Sequence, residues 1–492
     1  MHRITATYRT HVENFPNKVA IQTMNESLCY RDWYERVEKT ASWFNGFNTS
    51  NQTVGVLMPN GIPFLQLFAG AAAAGWIAVP FDIKWREEEI QKRLALSSPF
   101  VLLTTKELYE RVKHLHPNIQ VWEPSCLQKV SEIDRVGQAD SGDIPFYLGF
   151  TSGSTGEPKA FIRSHQSWIA SFECNLYDFH IDANDHVLIP GALIHSHFLY
   201  GAISTLYLGG TVYVLEKFSV SQTLSILEAE PISVVYFVPT MIEALLREEE
   251  VIERPVKIIS SGAKWEVDSK RRIPEVFRDV SMYEFYGASE LSFVTFLSHT
   301  ENQLKPNSVG KPFHNVEIQI RTSNGDVAET NEIGKIYIRS EMVFVGYLNP
   351  QNRTIRSIHD AAGWVTVDDM GYIDEEGYLY IAGREKNMIL YGGINIFPEE
   401  VEAVLSQHRD VEYVAVVGMA DSYWGQMVAA VIVGAAPKLE LKRLCKQHLA
   451  AYKVPRKWFF IEEMPLTVSG KIARAQVQEW IERKEDLLLE RQ

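Results

Sequence analysis

The stretch 149–159 reads G-F-T-S-G-S-T-G-E-P-K and has the residue types for holding an anion. Hydroxyl side chains and two glycines fill Thr151, Ser152, Gly153, Ser154, Thr155 and Gly156. Such a loop has almost no apolar surface to bury, but it can turn backbone N–H groups and hydroxyls inward onto a phosphate. Pro158 stiffens the exit, and Lys159 adds a fixed positive charge. The competing reading is a flexible Ser/Gly surface loop. A strand pattern over 144–150 and a helical pattern from about Ser164 flank the loop and favour the cradle. Two other motifs are excluded. A Walker loop needs Lys directly after its last glycine, and Gly156 is followed by Glu157. In a nucleophile elbow the serine sits two positions after the first glycine, and Ser152 is one position too far from Gly149.

Rigid elements must aim such a loop. From 53 to 296, short and nearly all-apolar β-branched runs alternate with helix-length stretches. The runs are 54–57, 101–104, 187–189, 211–215, 234–237 and 256–259. This is the pattern of buried parallel strands in layered α/β sheets. The most apolar run, 64–80, carries Gln66, glycines and an Ala tract. It reads as a buried helix and a short strand over 76–79, too interrupted to span a bilayer. Over 309–381 the segments 316–321, 335–339 and 378–382 alternate, split by turns such as Asn324-Gly325 and Glu376-Gly377. They predict an antiparallel sheet or a small distorted barrel. Beyond Gly383-Arg384 the spacing predicts a helix at 398–407, strands at 413–418 and 427–433, a helix at 439–451 and a strand at 458–461. That is a compact α+β unit of about 100 residues.

The chain has 492 residues, too many for one core. Its net charge of −14 argues against a nucleic-acid surface, while leaving room for a local basic pocket. Cys29, Cys126, Cys174 and Cys445 are scattered without a C-x-x-C pair. That spacing fits a reducing cytosol and gives no metal site. Residues 1–10 are polar and lack a signal-peptide apolar core, so a cytoplasmic protein is expected.

T-S-G-S-T-G-x-P-K resembles the signature loop of the adenylate-forming superfamily of acyl-CoA synthetases, peptide-synthetase adenylation domains and luciferases. Further motifs follow in that family's order. Tyr286-Gly287-Ala288-Ser289-Glu290 resembles its second nucleotide motif. The resemblance implies that Tyr286 and the adjoining backbone line the adenine pocket. Ser289 would touch the α-phosphate or the substrate carboxylate, and Glu290 would help hold Mg²⁺, a cation suited to hard oxygen ligands. Ser260-Ser261-Gly262-Ala263-Lys264 follows a buried strand, where small residues allow close approach of a ligand. The family uses this position for the adenine and one wall of the acyl pocket. The block 363–384 is similar to G-W-x-x-T-G-D-x-G…D-x-x-G-Y…G-R. It implies that Asp369 accepts both ribose hydroxyls and that Arg384 precedes a hinge at Lys386. Val367-Asp368 replaces the usual Thr-Gly, and alignment through Gly371 selects Asp369 over Asp368.

Gly392-Gly393 resembles the loop that admits the pantetheine arm of coenzyme A, with Leu390 where many relatives carry Lys. P-x-T-x-x-G-K over 465–471 resembles the catalytic-lysine loop. Lys471 would bridge the substrate carboxylate and the α-phosphate, where negative charge must be brought together. His195 and His197 occupy the region where relatives place a His or an aromatic at the acyl pocket, His195 being the matching one. The other reading is two histidines capping a helix beside a cleft. Phe198, Tyr236, Phe293 and Val294 complete the candidate pocket and suit an apolar tail. The amino-acid-binding Asp of peptide-synthetase domains has no match here.

The resemblance covers nearly the whole chain and implies an acyl-CoA synthetase, an AMP-dependent acid–thiol ligase. Its fold would be α/β: an N-terminal domain, 1–384, of two layered α/β sheets plus a small β-barrel, and a mobile α+β C-terminal domain, 385–492. A small carboxylic acid, fatty or aryl, would attack the α-phosphorus of Mg·ATP to give acyl-AMP and pyrophosphate. The thiol of coenzyme A would then take the acyl group and release AMP. The lysine loop and the Gly392-Gly393 loop serve different stages, so the small domain must reorient about Lys386. The alternatives are a carrier protein or an amine as acceptor, or a non-catalytic adenylate binder. Glu290 and Lys471 together count against the last.

Overall fold

The computed structural model describes residues 3–129, 144–152, 158–248, 250–262, 265, 267–421, 423–466 and 472–489. Two compact units emerge. The first is built on Met1–Thr151, Pro158–Glu317 and Ile338–Val365, the second on Ile318–Tyr337 and Thr366–Gln492.

In the first unit, a nine-stranded sheet runs in the order Lys311–Pro312, Ser292–Leu297, Val280–Ala288, Val256–Ser260, Val234–Phe237, His186–Ile189, Thr211–Val214, Val19–Gln22, Ser27–Cys29. The six strands from Val280–Ala288 to Val19–Gln22 are parallel. The apolar runs 187–189, 211–215, 234–237 and 256–259 fall on these strands, and apolar contact on both sides is why they show no alternation. An eight-stranded sheet runs Ile355–Arg356, Gly346–Leu348, Pro158–Ser164, Pro145–Ser152, Ile77–Pro80, Thr53–Leu57, Val101–Thr104, Ile119–Val121. Every residue of helix Ile62–Ala74 except Pro63 is buried. Gln66 is accommodated there because its amide donates to Thr40 Oγ1 at 2.9 Å. Among the described residues no helix is long and apolar enough to cross a membrane.

The region read as an antiparallel sheet or small barrel is a four-stranded sheet of Glu317–Arg321, Gly334–Arg339, Asp369–Ile373 and Leu379–Arg384. Asp369–Ile373 lies antiparallel to both of its neighbours. A five-stranded sheet follows, centred on the long hairpin Val411–Asp421 and Gly425–Gly434. Alternation divides this hairpin between two cores. Val414 and Val416 pack with helices Pro398–Leu405 and Lys438–His448. Ala415 and Val417 pack with Val477 and Ile481 of helix Arg474–Leu489. Helix Lys438–His448 stops short of the expected 451 because Leu449 turns to an extended conformation, ψ 151°.

Candidate active site

Strand Pro145–Ser152 carries Thr151, half-buried, to the mouth of the proposed cradle. The cradle residues Gly153, Ser154, Thr155 and Gly156 lie outside the described residues, as does the Ser152 side chain. On the far side, strand Pro158–Ser164 presents Lys159, exposed, with its ammonium 5.3 Å from the centroid of the Tyr347 ring.

Tyr347 connects this strand to Glu290. Its hydroxyl donates to Glu290 Oε1 at 2.8 Å, and the Glu290 side chain is buried, with the residue 8% exposed. Glu290 follows Val280–Ala288 in a tight turn to Ser292–Leu297. Gly287 makes that turn possible: a Cβ there would stand 2.0 Å from Ser292 O. The main chain of the turn is held from outside. Phe344 N donates to Glu290 O at 2.7 Å. Arg163, 1% exposed, donates to Ser289 O at 3.1 Å, Glu290 O at 3.4 Å and Met342 O at 2.7 Å. A buried guanidinium spread over several carbonyls fixes the turn and offsets its own desolvation. Ser289, Tyr286 and Ala288 are half-buried around it. The residues fit a hard cation: a carboxylate oriented by the Tyr347 hydroxyl offers the oxygen ligands such an ion takes.

Gly262, at φ 98°, ends the βα turn after Val256–Ser260. Ala263 and Lys264 lie outside the described residues. The turn is anchored beyond them, where Trp265 N donates to buried Glu284 at 3.2 Å and Trp265 Nε1 to Ser260 Oγ at 2.6 Å.

The acyl-pocket candidates divide. His197, Phe198, Tyr236 and Phe293 belong to one ring cluster: His197 lies 5.0 Å from Phe198, 5.2 Å from Tyr236 and 5.7 Å from Phe285, and Phe285 lies 4.6 Å from Phe293. Val294, the next residue on the same extended strand, projects to the opposite face. His195 occupies the N-cap of helix Ser196–Leu208 but makes no side-chain cap. It is exposed to solvent, yet surrounding protein lowers its pKa, with Asp82 opposing and Lys84 assisting. His197 Nε2 bonds Phe237 O at 3.0 Å. Burial lowers its pKa to about 4, against the raising effect of that bond, so the ring is neutral at pH 7 with Nε2–H donating.

In the second unit, Asp369 is 6% exposed and forms an ion pair with Arg384, Nε to Oδ1 3.0 Å, its partner across the strand pair. Asp368 points elsewhere: its side chain is 54% exposed and stands 3.6 Å from Lys335. Its φ of 65° is left-handed, which explains why glycine is usual at this position. Lys386 sits in the 3₁₀ turn Glu385–Asn387. Gly392 and Gly393, with φ of 54° and 84°, form the two-residue turn between Ile389–Tyr391 and Ile394–Ile396. A Cβ at Gly392 would meet the Trp424 ring at 2.7 Å, while Gly393 opens to free space. Lys471 lies outside the described residues. Three positions after it, Arg474 makes a two-pronged pair with Glu402, both contacts 2.5 Å. A cavity of about 310 Å³ in this unit is lined by Val431, Phe460, Glu462, Pro465 and Trp480 and by none of the site residues above.

Sequence reasoning misses Tyr347 and Arg163, the two side chains that position Glu290. Phe344-Val345-Gly346-Tyr347 has the pattern of an ordinary short strand, and nothing local ties it to a residue near 290.

Residues 8–348 match the family described as AMP-binding enzyme, and 400–471 match the AMP-binding enzyme C-terminal domain. An uncharacterized acyl–CoA ligase of Bacillus subtilis, YhfT, is 50% identical over 97% of this chain and 98% of its own. A long-chain-fatty-acid–CoA ligase of the same organism is 28% identical over 94% and 92%. Among solved structures, o-succinylbenzoate CoA synthetase (MenE) of Bacillus subtilis with its acyl-adenylate intermediate superposes with a TM-score of 0.86 at 26% identity, covering 96% of this chain and 97% of that one. The same enzyme with ATP and magnesium gives 0.84 at 26%, over 95% and 98%.

Proposed function

The chain belongs to the AMP-binding enzyme family, and from that premise we propose that its acid is apolar and that its site residues divide the work as follows. The protein is an AMP-forming acid–thiol ligase, an acyl-CoA synthetase. It activates a carboxylic acid with ATP to acyl-AMP and transfers the acyl group to coenzyme A, with Mg²⁺ as cofactor. The first step brings a carboxylate to a phosphate, so positioning and charge neutralisation supply its rate and no covalent protein intermediate is required.

In our reading the hydroxyls and backbone of 151–156, with Lys159, cradle the phosphates. Gly262, Ala263 and Lys264 and the segment Tyr286-Gly287-Ala288 line the adenine, and Ser289 meets the reacting oxygens. Glu290 holds Mg²⁺, which when bound neutralises phosphate charge. Asp369 takes the ribose hydroxyls, Lys471 supports adenylation, and the Gly392-Gly393 turn admits the pantetheine arm. The C-terminal domain begins at 385 and turns about Lys386. The enzyme works in the cytoplasm, a reading supported by the scattered, unpaired cysteines.

The observation that carries this reading is buried Glu290, turned by the Tyr347 hydroxyl and locked through its main chain by Arg163. For the acid, the ring cluster of His197, Phe198, Tyr236 and Phe293 supports an apolar tail, with neutral His197 adding no charge. Of the named relatives, the long-chain-fatty-acid–CoA ligase supports an apolar tail, while the o-succinylbenzoate enzyme takes an aryl acid with a second carboxylate. A panel of fatty, aryl and hydrophilic acids tests it by acid-dependent exchange of pyrophosphate into ATP, then AMP release with coenzyme A. Exchange with apolar acids is expected. Exchange confined to hydrophilic acids would overturn the pocket assignment. Exchange without AMP release on adding coenzyme A would move the second step to another acceptor.

A further inference from the structure

The first unit holds a second convergence of donor atoms that the ligase reaction does not use. Cys174 lies in the last turn of helix His165–Tyr177, and Asp178 is its C-cap. Four residues apart, they share one face of the helix. Loop residue His314, 136 positions beyond Asp178, closes on them, with Nδ1 2.8 Å from Asp178 Oδ2. One donor atom from each of Cys174, Asp178 and His314 lies within 4.8 Å of the others. Two more donors border the thiol: Asn315 Oδ1 at 3.4 Å and Met342 Sδ at 3.6 Å.

An Asp–His pair beside a buried thiol explains each contact separately. It does not explain why sulfur, imidazole and carboxylate converge from two chain segments. Together they are a mixed S/N/O set of the kind borderline-soft divalent ions take, whereas Mg²⁺ prefers oxygen alone. In tetrahedral zinc sites ligand atoms stand roughly 3.5 Å apart, so closing this group takes small side-chain rotations. Access is graded: Cys174 is buried, Asp178 half-buried and His314 exposed, which leaves a route from solvent. The His314 ring stands edge-on against Tyr177 at 5.1 Å, which limits its swing.

We propose that Cys174, Asp178 and His314 form a zinc-class site, with water in the fourth position. Binding replaces the thiol S–H bond with an S–metal bond and releases the proton to solvent; nothing is oxidised or reduced. The site is a clip. It ties the end of helix His165–Tyr177 to the loop at 313–315, where the adjoining residues Phe179 and Phe313 pack 5.3 Å apart. Both rings lean on Phe293 of the proposed acyl pocket, at 5.6 and 4.8 Å. The ion would brace the wall behind that pocket without touching substrate. The scattered cysteines conceal such a site in the sequence, because its histidine lies far along the chain.

The test uses the full-length protein stripped of metal with a chelator, then titrated with Co²⁺ and Zn²⁺. One equivalent of Co²⁺ should give a thiolate-to-cobalt charge-transfer band, and one equivalent of Zn²⁺ should displace it and raise the melting temperature. Cys174→Ala should abolish the band. His314→Gln, at an exposed position that leaves the core intact, should weaken Zn²⁺ binding by more than the roughly 10–100-fold that loss of an outer-shell partner costs. A missing band in the wild type, or a zinc affinity unchanged in His314→Gln, overturns the proposal and leaves an adventitious ion only. None of these readouts depends on ligase activity, so the clip and the catalytic assignment fail separately.

Discussion

Glu290 in the first unit and Asp369 in the second are both buried carboxylates, and they are answered differently. Glu290 accepts a hydrogen bond from a neutral phenol, 2.8 Å from Tyr347. Asp369 is paired with a guanidinium, 3.0 Å from Arg384 Nε. A buried carboxylate turned by a neutral donor has no cationic partner of its own in that contact, which suits it to an incoming cation. One already matched by an arginine has its charge offset and still offers oxygen lone pairs to neutral hydroxyls. The contrast supports the proposed division of roles, metal for Glu290 and ribose for Asp369. The neighbour Asp368, exposed and left-handed, is suited to neither.

The largest expected effect tests whether the segment beyond Arg384 must reorient between the two half-reactions. Lys386 lies in a short 3₁₀ turn directly after Arg384. Proline would fix its φ near −65° and remove one dihedral from the hinge. Lys386→Pro should leave acyl-AMP formation nearly intact and abolish acyl-CoA formation. Wild-type rates in both half-reactions, measured separately, would put the hinge elsewhere.

Next comes Glu290→Gln, which keeps an acceptor for Tyr347 but removes the charge. We expect adenylation to fall by on the order of 10²–10³, the loss typical of one electrostatic element aimed at developing charge. Affinity for metal-free ATP should be preserved. Equal activity at ordinary Mg²⁺ concentrations would break the comparison. Asp369→Asn should instead raise the KM for ATP by roughly 10–100-fold, the equivalent of one charge-assisted hydrogen bond, with little change in kcat. If Asp368→Asn produces that effect and Asp369→Asn does not, the ribose assignment shifts by one residue.

Much of this is legible in the amino-acid sequence alone. The parallel strands announce themselves as unbroken apolar runs because both faces are buried. The Glu376-Gly377 turn is visible because glycine takes its positive φ, 84°, without strain. What escapes is carried by main-chain atoms and distant partners. Arg163 holds the Ser289–Glu290 turn through carbonyl oxygens, which every residue type possesses, so no pattern marks it. Tyr347 reaches Glu290 across 57 positions. As sequence, the two glycines at 392 and 393 read as room for a ligand. The structure also gives Gly392 a structural reason, its contact with Trp424.

A smaller effect separates positioning from ligation. Tyr347→Phe removes one neutral hydrogen bond to a buried carboxylate, a change of about 1 kcal/mol, or close to fivefold. The Mg²⁺ concentration for half-maximal adenylation should rise by about that factor, with the KM for ATP unchanged at saturating Mg²⁺. A loss of rate that excess Mg²⁺ cannot rescue would make Tyr347 part of the reacting centre.

The smallest effect tests Asp368 against its neighbour. Asp368 holds φ at 65°, a conformation that aspartate tolerates and glycine adopts freely. Its contact with Lys335 is long, at 3.6 Å and half-exposed, and Lys335 keeps a closer partner in Glu385 at 2.6 Å. Exposed pairs of that kind contribute at most about 1 kcal/mol, and commonly nothing. Glycine gives back part of the dihedral gain as added freedom in the unfolded chain. The balance favours Asp368→Gly by about half a kcal/mol, a rise in melting temperature of roughly 1–2 °C. The KM for ATP should stay at its wild-type value, because Asp369 and Arg384 are undisturbed. A fall in melting temperature would mean that the Lys335 contact outweighs the backbone strain. A rise in KM for ATP would mean that the two carboxylates share the nucleotide after all.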